Sequence, residues 1–216
     1  MAAERSAGID EFSARLLAIE KALGEGRYRP GPWDAFVRAA RNQPDDVRAA
    51  LAADVSRVSR KLHLRTGRGT ISFVAGVGIE LASITVGAGL IAIGAGDRSG
   101  AAALAAMVIW TIAFQPVLKI VVGKAFGIGY DYAYLLGVEP RFKMSFGTYL
   151  AAPRGKRIAF HLSGMFGSPL GAMLAGLIVD GATPLASRIC LAVAALMLAL
   201  NLVLLVAALL GVHRMG

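Results

Sequence analysis

The chain has 216 residues, of which 56% are hydrophobic and only 17% are charged, and its mean hydropathy is +0.61. A soluble domain is usually about a quarter charged, so this composition argues against an ordinary soluble globular protein. Disorder is excluded more firmly, because it requires low hydrophobicity. The net charge is +9, and because membrane proteins collect Lys and Arg on their cytoplasmic side, this excess does not indicate nucleic-acid binding.

Residues 1–70 predict a cytoplasmic amphipathic helical unit. Apolar residues fall on two helical stripes, separated by a break rich in Gly and Pro at 24–32, and Pro44 with the acids after it is typical of a helix start. The stripes either pack together as a small bundle, which is the favoured interpretation, or lie on anionic lipid headgroups. The stripes are Ile9, Phe12, Leu16, Ile19 and Leu23, and Val47, Leu51, Val55, Val58 and Leu62.

Four apolar stretches are each long enough to cross a bilayer, which needs about 20 residues. Backbone polar groups must be satisfied internally in lipid, so each stretch is predicted to be a helix. The predicted fold class is an all-α integral membrane protein with four transmembrane helices, and residues 71–216 are predicted to form the membrane domain. The four stretches are 71–95, 101–123, 158–179 and 187–212.

The distribution of Lys and Arg predicts the topology. Basic residues are frequent just before the first span and in the loop 124–157, whereas the other two loops hold one arginine each, Arg98 and Arg188. The positive-inside rule therefore places both termini and the loop 124–157 in the cytoplasm. The Ala- and Arg-rich composition favours a bacterial inner membrane.

The loop 124–157 predicts a small β-hairpin between spans two and three. Aromatic residues alternate with other residues on both sides of a turn-like sequence at 137–140. Aromatic and basic residues together are also typical of a membrane–water interface. The alternating residues are Tyr130, Tyr132 and Tyr134, and Phe142, Met144 and Phe146.

Two charged residues lie inside the predicted spans. Glu80 is about 14 Å into span one and Lys119 about 6 Å into span two, at 1.5 Å per residue. Charges at such depth are costly and usually face the interior of a helical bundle. The two residues form a structural pair, or Lys119 extends to the interface, or they belong to a proton or ion pathway. The other polar candidates within the spans are Gln115, His161, Ser163, Ser168 and Asn201.

Small residues in and after the spans predict close helix packing at Gly123, Gly127, Gly167 and Gly171. No catalytic or metal-binding residue is predicted, and no cofactor. The three histidines are far apart in the sequence, and neither a zinc ligand set nor a nucleophile motif is visible.

The order of features from span two to span three carries a family resemblance. A polar pair at i and i+4, Gln115 and Lys119, is followed by a Gly-rich exit at 123–128, a hairpin at 137–149 and a third span with small residues. This arrangement, over about 105–180, resembles the site-2-protease-like family of intramembrane zinc metalloproteases.

The resemblance implies a non-catalytic relative, a pseudoenzyme. In the family two histidines occupy the i and i+4 places and bind zinc, and a glutamate follows the first of them. Here Gln115 and Lys119 stand at the i and i+4 places, and Pro116 stands where the family has the glutamate. No counterpart of the family's later Asp-Gly ligand motif is present in span four.

The sequence favours a non-enzymatic membrane scaffold, adaptor or subunit that binds a membrane partner or lipid. Its expected partners are the lipid bilayer, another membrane protein or further copies of the chain, and anionic headgroups at the basic face, but not nucleic acid. Two alternatives remain: an intramembrane hydrolase or site-2-protease-like enzyme with an atypical site, and a small oligomeric transporter or channel subunit.

Overall fold

The computed structural model describes residues 2–137 and 139–209, and the side chains of 8–137 and 139–207. The helices in these residues are α1 (Ala2–Gly24), α2 (Pro32–Arg41), α3 (Asp45–Ala50), α4 (Ala52–Leu64), α5 (Phe73–Gly96), α6 (Gly100–Ala125), α7 (Phe146–Ala151), α8 (Arg154–Val179) and α9 (Pro184–Leu209). The strands are β1 (Thr70–Ile71), β2 (Tyr130–Leu136) and β3 (Glu139–Met144).

Helices α5, α6, α8 and α9 are long and apolar enough to cross a membrane, which confirms the four predicted spans. Their ends differ from the prediction. The first span begins at Phe73, because the residues just before it pair as a strand. The third begins at Arg154, since α8 includes a basic turn that hydropathy alone leaves out. The predicted end of the fourth span at 210–212 lies outside the described residues.

Contacts divide the chain into two compact units. One, which we call the polar unit, consists of Met1–Phe73 and Gly123–Ile158, and the other, the span unit, of Val74–Val122 and Ala159–Gly216. The sequence-based division at residue 70 assigned the loop 124–157 to the membrane domain. By contacts in the structure, that loop falls in the same compact unit as the N-terminal residues.

The polar unit is built around the predicted apolar stripes. The stripe of α1 packs against α2, α3 and α4, and the rings of Phe12 and Phe36 meet edge to face at 5.7 Å. The stripes therefore bury one another, as the bundle interpretation requires. Glu20 of α1 also accepts hydrogen bonds from Lys61 (2.6 Å) and Arg57 (3.2 Å) of α4, and these hydrogen bonds lower the pKa of the Glu20 carboxyl.

The predicted hairpin is present as β2 and β3, which are antiparallel. Leu136 pairs with Glu139, so the turn is two residues long, and Gly137 adopts φ 63°, a value that glycine reaches without strain. Strand β1 pairs with β2 and makes a third strand. The sequence did not predict this strand, because two residues carry no detectable alternation.

Helix α7 lies against the first turn of α4. The hydroxyls of Ser56 and Ser145 are 2.7 Å apart, and the backbone N–H of Gly147 donates to Ser56 Oγ at 3.0 Å. A Cβ at Gly147 would overlap the carbonyl oxygen of Ala52. The absence of a side chain at this position therefore allows α7 to reach the backbone of α4.

We expect Gly147→Ala to destabilise the polar unit by about 3 kcal/mol, because the atom that would be overlapped is backbone and a backbone shift is costly. Thermal unfolding of the detergent-solubilised protein measures the effect. Gly155→Ala is the matched control, since an added Cβ there meets nothing within 4 Å. Equal melting temperatures for the two variants would contradict the proposed contact.

Candidate functional site

Helices α5 and α6 pack closely through small residues in the span unit. A Cβ at Gly87 would overlap the indole of Trp110, and one at Gly94 would lie 3.2 Å from Cβ of Ala103. Trp110 Nε1 donates a hydrogen bond to the carbonyl of Ile84 at 3.0 Å. The indole thus fills the groove over Gly87 and satisfies its own polar atom there.

Glu80 lies on this same inner face of α5 and is only 1% exposed. The contacts of Gly94 with Ala103 and of Gly87 with Trp110 fix the antiparallel register, since seven residues back along α5 match seven residues forward along α6. Seven residues back from Gly87 along α5 is Glu80, and seven residues forward from Trp110 along α6 is Val117, so these two residues lie at the same level. The carboxyl group is therefore held at the α5–α6 contact and not against lipid.

The depths of Glu80 and Lys119 are closer than the sequence predicted. The start of α5 and the end of α6 are adjacent, because Lys124 Nζ lies 5.1 Å from the Phe73 ring centroid. Counted from those helix ends, Glu80 is about 10 Å and Lys119 about 9 Å along its helix. The sequence-based depths of about 14 and 6 Å differ because they were counted from the predicted span ends at residues 71 and 123.

The side chain of Lys119 lies across α8. A Cβ at Gly164 would be 2.5 Å from Cε and 3.0 Å from Cδ of Lys119, so the lysine stem occupies the space that a side chain at 164 would take. Its Nζ lies 5.5 Å from the ring centroid of Phe160, one turn earlier on α8. The ammonium group therefore has a cation–π contact in the membrane span.

Gln115 lies at the closest approach of α6 to α8. A Cβ at Gly167 would lie 2.5 Å from Cα of Gln115, and one at Gly171 would lie 2.5 Å from the carbonyl oxygen of Trp110. Gly164, Gly167 and Gly171 thus form one seam along α8. Thr111 Oγ1 is buried next to this seam and has no hydrogen-bond partner among the described residues.

The other polar candidates are distributed over α8 and α9. Ser163 is buried and its Oγ donates to the carbonyl of Phe160 at 2.7 Å. Ser168 is half-buried. His161 is exposed, with its ring 5.5 Å from that of Phe160. Asn201 Nδ2 donates to the carbonyl of Met165 at 2.6 Å, which joins α9 to α8.

Gly127, predicted to pack helices, ends α6 instead. Its φ is +79° and an added Cβ would meet nothing within 4 Å. The N–H of Ile128 donates to the carbonyl of Gly123 at 2.8 Å, and that of Gly127 to the carbonyl of Lys124 at 3.1 Å. This pair of bonds is a Schellman motif, which satisfies the last carbonyls of the helix.

A second polar cluster, which the sequence did not predict, lies in the polar unit between α4 and the hairpin. Lys143 Nζ donates to Ser59 Oγ at 2.7 Å, and His63 Nδ1 is 2.7 Å from the hydroxyl of Tyr132. His63 Nε2 and Asp131 Oδ2 are buried without a hydrogen-bond partner among the described residues. Only the pairing of α4 with the sheet brings these groups together.

Burial dominates the electrostatics of this cluster. It lowers the pKa of His63, and the nearby charges of Lys143 and Arg68 lower it further. It also lowers the pKa of Lys143, and it raises that of Asp131 against the opposing effect of Lys143. All three groups are therefore shifted toward their neutral forms.

Within residues 2–137 and 139–209 no group of three or more His, Cys, Asp or Glu side chains is placed to hold a metal ion. The hydroxyl of Ser163 is bonded to a backbone carbonyl and not to a base. Gln115 and Lys119, which the sequence resemblance places at the zinc-ligand positions of site-2-protease-like proteins, contact the glycine seam of α8.

Comparison with known protein families, with curated proteins and with solved structures finds no match. The resemblance to site-2-protease-like proteins therefore stays a prediction.

We expect the polar unit to lose stability as the pH falls below about 6.5, the ordinary pKa of histidine. The pKa of His63 is lower in the folded chain than in the unfolded chain, so the unfolded chain binds the proton more readily. Asp131 acts in the opposite direction at lower pH, because its pKa is raised on folding. Melting temperatures at pH 7.5 and 5.5 measure the effect.

Wild type and His63→Gln are compared so that the contribution of this one group is isolated. The drop in melting temperature on acidification should be larger in the wild type, since only that chain protonates a side chain facing Lys143 and Arg68. An identical drop in both chains would contradict a role for His63.

We expect Glu80 and Lys119 to be energetically coupled. Glu80→Met and Lys119→Met should each destabilise the span unit, because each leaves a charge in the membrane without its counter-charge. The double variant should lose less than the sum of the two, by on the order of 1 kcal/mol. Reversible unfolding in detergent measures all four chains. Cys190→Ala combined with Glu80→Met is the additive control, and additivity in both pairs would reject the coupling.

Proposed function

We propose that this protein is a multi-span membrane subunit or scaffold that binds a transmembrane helix of a partner through the outer face of α5. The observation that carries the proposal is a stripe of small residues on α5 that is exposed in the structure. Its members, which we call the α5 outer stripe, are Gly78, Ala82, Thr85, Gly89, Ala92 and Gly96.

The α5 outer stripe has the spacing of a helix–helix interface. Its members are alternately four and three residues apart, which places them along one face of the helix. An added Cβ at Gly78, Gly89 or Gly96 meets nothing within 4 Å. The face lies opposite Glu80, Gly87 and Gly94, which are buried against α6. Helix α5 therefore has two small-residue faces, of which α6 covers one.

Bulky side chains border the stripe and make it a groove. Leu81 lies on one side, and Val86 and Ile93 lie on the other, all exposed. In lipid there is little hydrophobic drive for helices to associate, and close backbone approach over small residues supplies the van der Waals contact instead. Thr85 Oγ1 donates to the carbonyl of Leu81 at 2.9 Å, so no polar group opposes docking.

Lipid contact at the polar unit is part of the same proposal. Several cations there lie over aromatic rings next to the ends of the spans: Lys124 over Phe73 at 5.1 Å, Lys156 over Phe126 at 5.9 Å. Aromatic and basic side chains are enriched at membrane interfaces, and the cations attract anionic headgroups. With the positive-inside rule this supports a cytoplasmic polar unit and cytoplasmic termini in a bacterial inner membrane.

We expect the double substitution Gly78→Leu and Gly89→Leu to dissociate the complex that the wild type forms, because two leucines fill the groove. The tagged chain is purified from its native membranes in mild detergent, and native mass spectrometry measures the stoichiometry of protein partners or further copies. The control is Ala195→Leu, which adds a single leucine side chain at an exposed position of α9.

Retention of a stoichiometric partner by Ala195→Leu and its loss from the double variant is the expected outcome. A wild-type chain that carries only lipid, or a double variant that keeps its partner, would reject α5 as the docking face. Melting temperatures of all three chains verify that the loss is not due to unfolding.

A further inference from the structure

A cavity of about 290 Å³ lies in the span unit where the loop between α5 and α6 meets the loop between α8 and α9. It is at the opposite end of the spans from Glu80 and Lys119 and is separate from the α5 outer stripe. Most of its lining is apolar, including Leu104, Leu185 and Ile189. Arg98 is the one charged residue among those that line it.

Arg98 lines this cavity and is exposed. It has no ion pair or side-chain hydrogen bond with any residue that the structure describes. Its backbone has φ 55°, a left-handed conformation that is unfavourable for arginine. A cation beside an apolar cavity is complementary to a ligand that combines an anionic group with hydrocarbon.

The position of the cavity selects lipid as the source of that ligand. Helices α6 and α9 both begin at residues that line it, Gly100 and Pro184, so the cavity lies where two spans end. The ends of transmembrane helices are at the depth of lipid headgroups. The apolar lining also continues outward, because Leu185 is 73% exposed and Ile189 39% exposed.

We propose that this cavity binds one anionic phospholipid, with the headgroup phosphate at Arg98 and the first carbons of an acyl chain along Leu104, Leu185 and Ile189. A cavity of this size takes part of a lipid, and the remainder of the acyl chain extends into the bilayer past Leu185. The site differs from the basic surface of the polar unit in having a single cation and a mostly apolar lining, so we expect one lipid per chain.

Native mass spectrometry of the full-length protein, titrated with dihexanoyl phosphatidylglycerol or dihexanoyl phosphatidylcholine, tests the proposal. The wild type should retain one more phosphatidylglycerol per chain than Arg98→Asn, and its affinity for that lipid should be about tenfold higher, since a charge-assisted contact to phosphate is lost. Asparagine tolerates the left-handed backbone, so the substitution removes the charge without new strain. Arg98→Lys should retain the lipid.

Two further variants separate the cavity from general surface charge. Arg188→Gln removes the other basic residue at this end of the spans, which does not line the cavity, and should leave binding unchanged. Gly100→Leu should abolish binding by filling the cavity, since even a Cβ there lies 3.7 Å from Cβ of Ala186. Melting temperatures verify that each variant folds. If Gly100→Leu fails to fold, the Arg98 variants alone decide the outcome.

Three results would overturn the proposal. Equal retention of phosphatidylglycerol and phosphatidylcholine would show that charge plays no part. Equal loss in Arg98→Asn and Arg188→Gln would reduce the effect to surface charge. Displacement of the lipid by inorganic phosphate at the same concentration would indicate an anion site with no role for the hydrocarbon.

Discussion

The close approach of α8 to α6 is the contact on which the span unit depends. Three glycines of α8 replace side chains with direct contact to the backbone of α6 at Trp110 and Gln115 and to the stem of Lys119. In a membrane this is a strong arrangement, because helices gain stability there from van der Waals contact and not from the exclusion of water. The core around it is accordingly rich in small side chains, with alanines on α6, α8 and α9 around a single tryptophan.

Close helix contact at glycines also explains how a lysine and a glutamate are accommodated inside the spans. With no side chain at Gly164, Lys119 can lie flat across α8 and bring its ammonium group to Phe160. With Gly87 open to Trp110, α5 comes near enough to α6 for Glu80 to be enclosed between them. Backbone geometry that glycine permits thus buries Glu80 and leaves Lys119 half-buried.

The sequence predicted those parts of the structure whose signal is local and periodic. Hydropathy over 20 residues identifies α5, α6, α8 and α9, and alternation around a tight turn identifies β2 and β3. Strand β1 and helix α7 are two and six residues long and carry no such period, so they were missed. Gly127 was assigned to packing because spacing alone cannot distinguish a packed glycine from one that ends a helix.

The candidate sites divide in the same way. Glu80 and Lys119 were found because a charge within an apolar run is conspicuous in the sequence. His63, Asp131 and Lys143 were not, because each is unremarkable in its own segment and the three meet only when α4 packs on the hairpin. Arg98 was noted only as a topology marker, since neither its backbone conformation nor the cavity beside it is visible in the sequence.

Two helices of this chain present exposed faces of opposite character, and the contrast bears on what each face meets. Along α9 several of the exposed residues are bulky, with Leu196 61%, Leu200 55% and Val203 65% exposed, and such side chains fill the space between a helix and fluid acyl chains. Along the outer face of α5 the exposed residues are Gly, Ala and Thr, which form a groove. A lipid acyl chain loses conformational entropy when it is ordered in a narrow groove. The side-chain ridge of a second helix is already ordered before it packs there. Small residues on a face that met only lipid would forgo contacts that leucine provides on α9, and the helix that we propose to dock there would recover them.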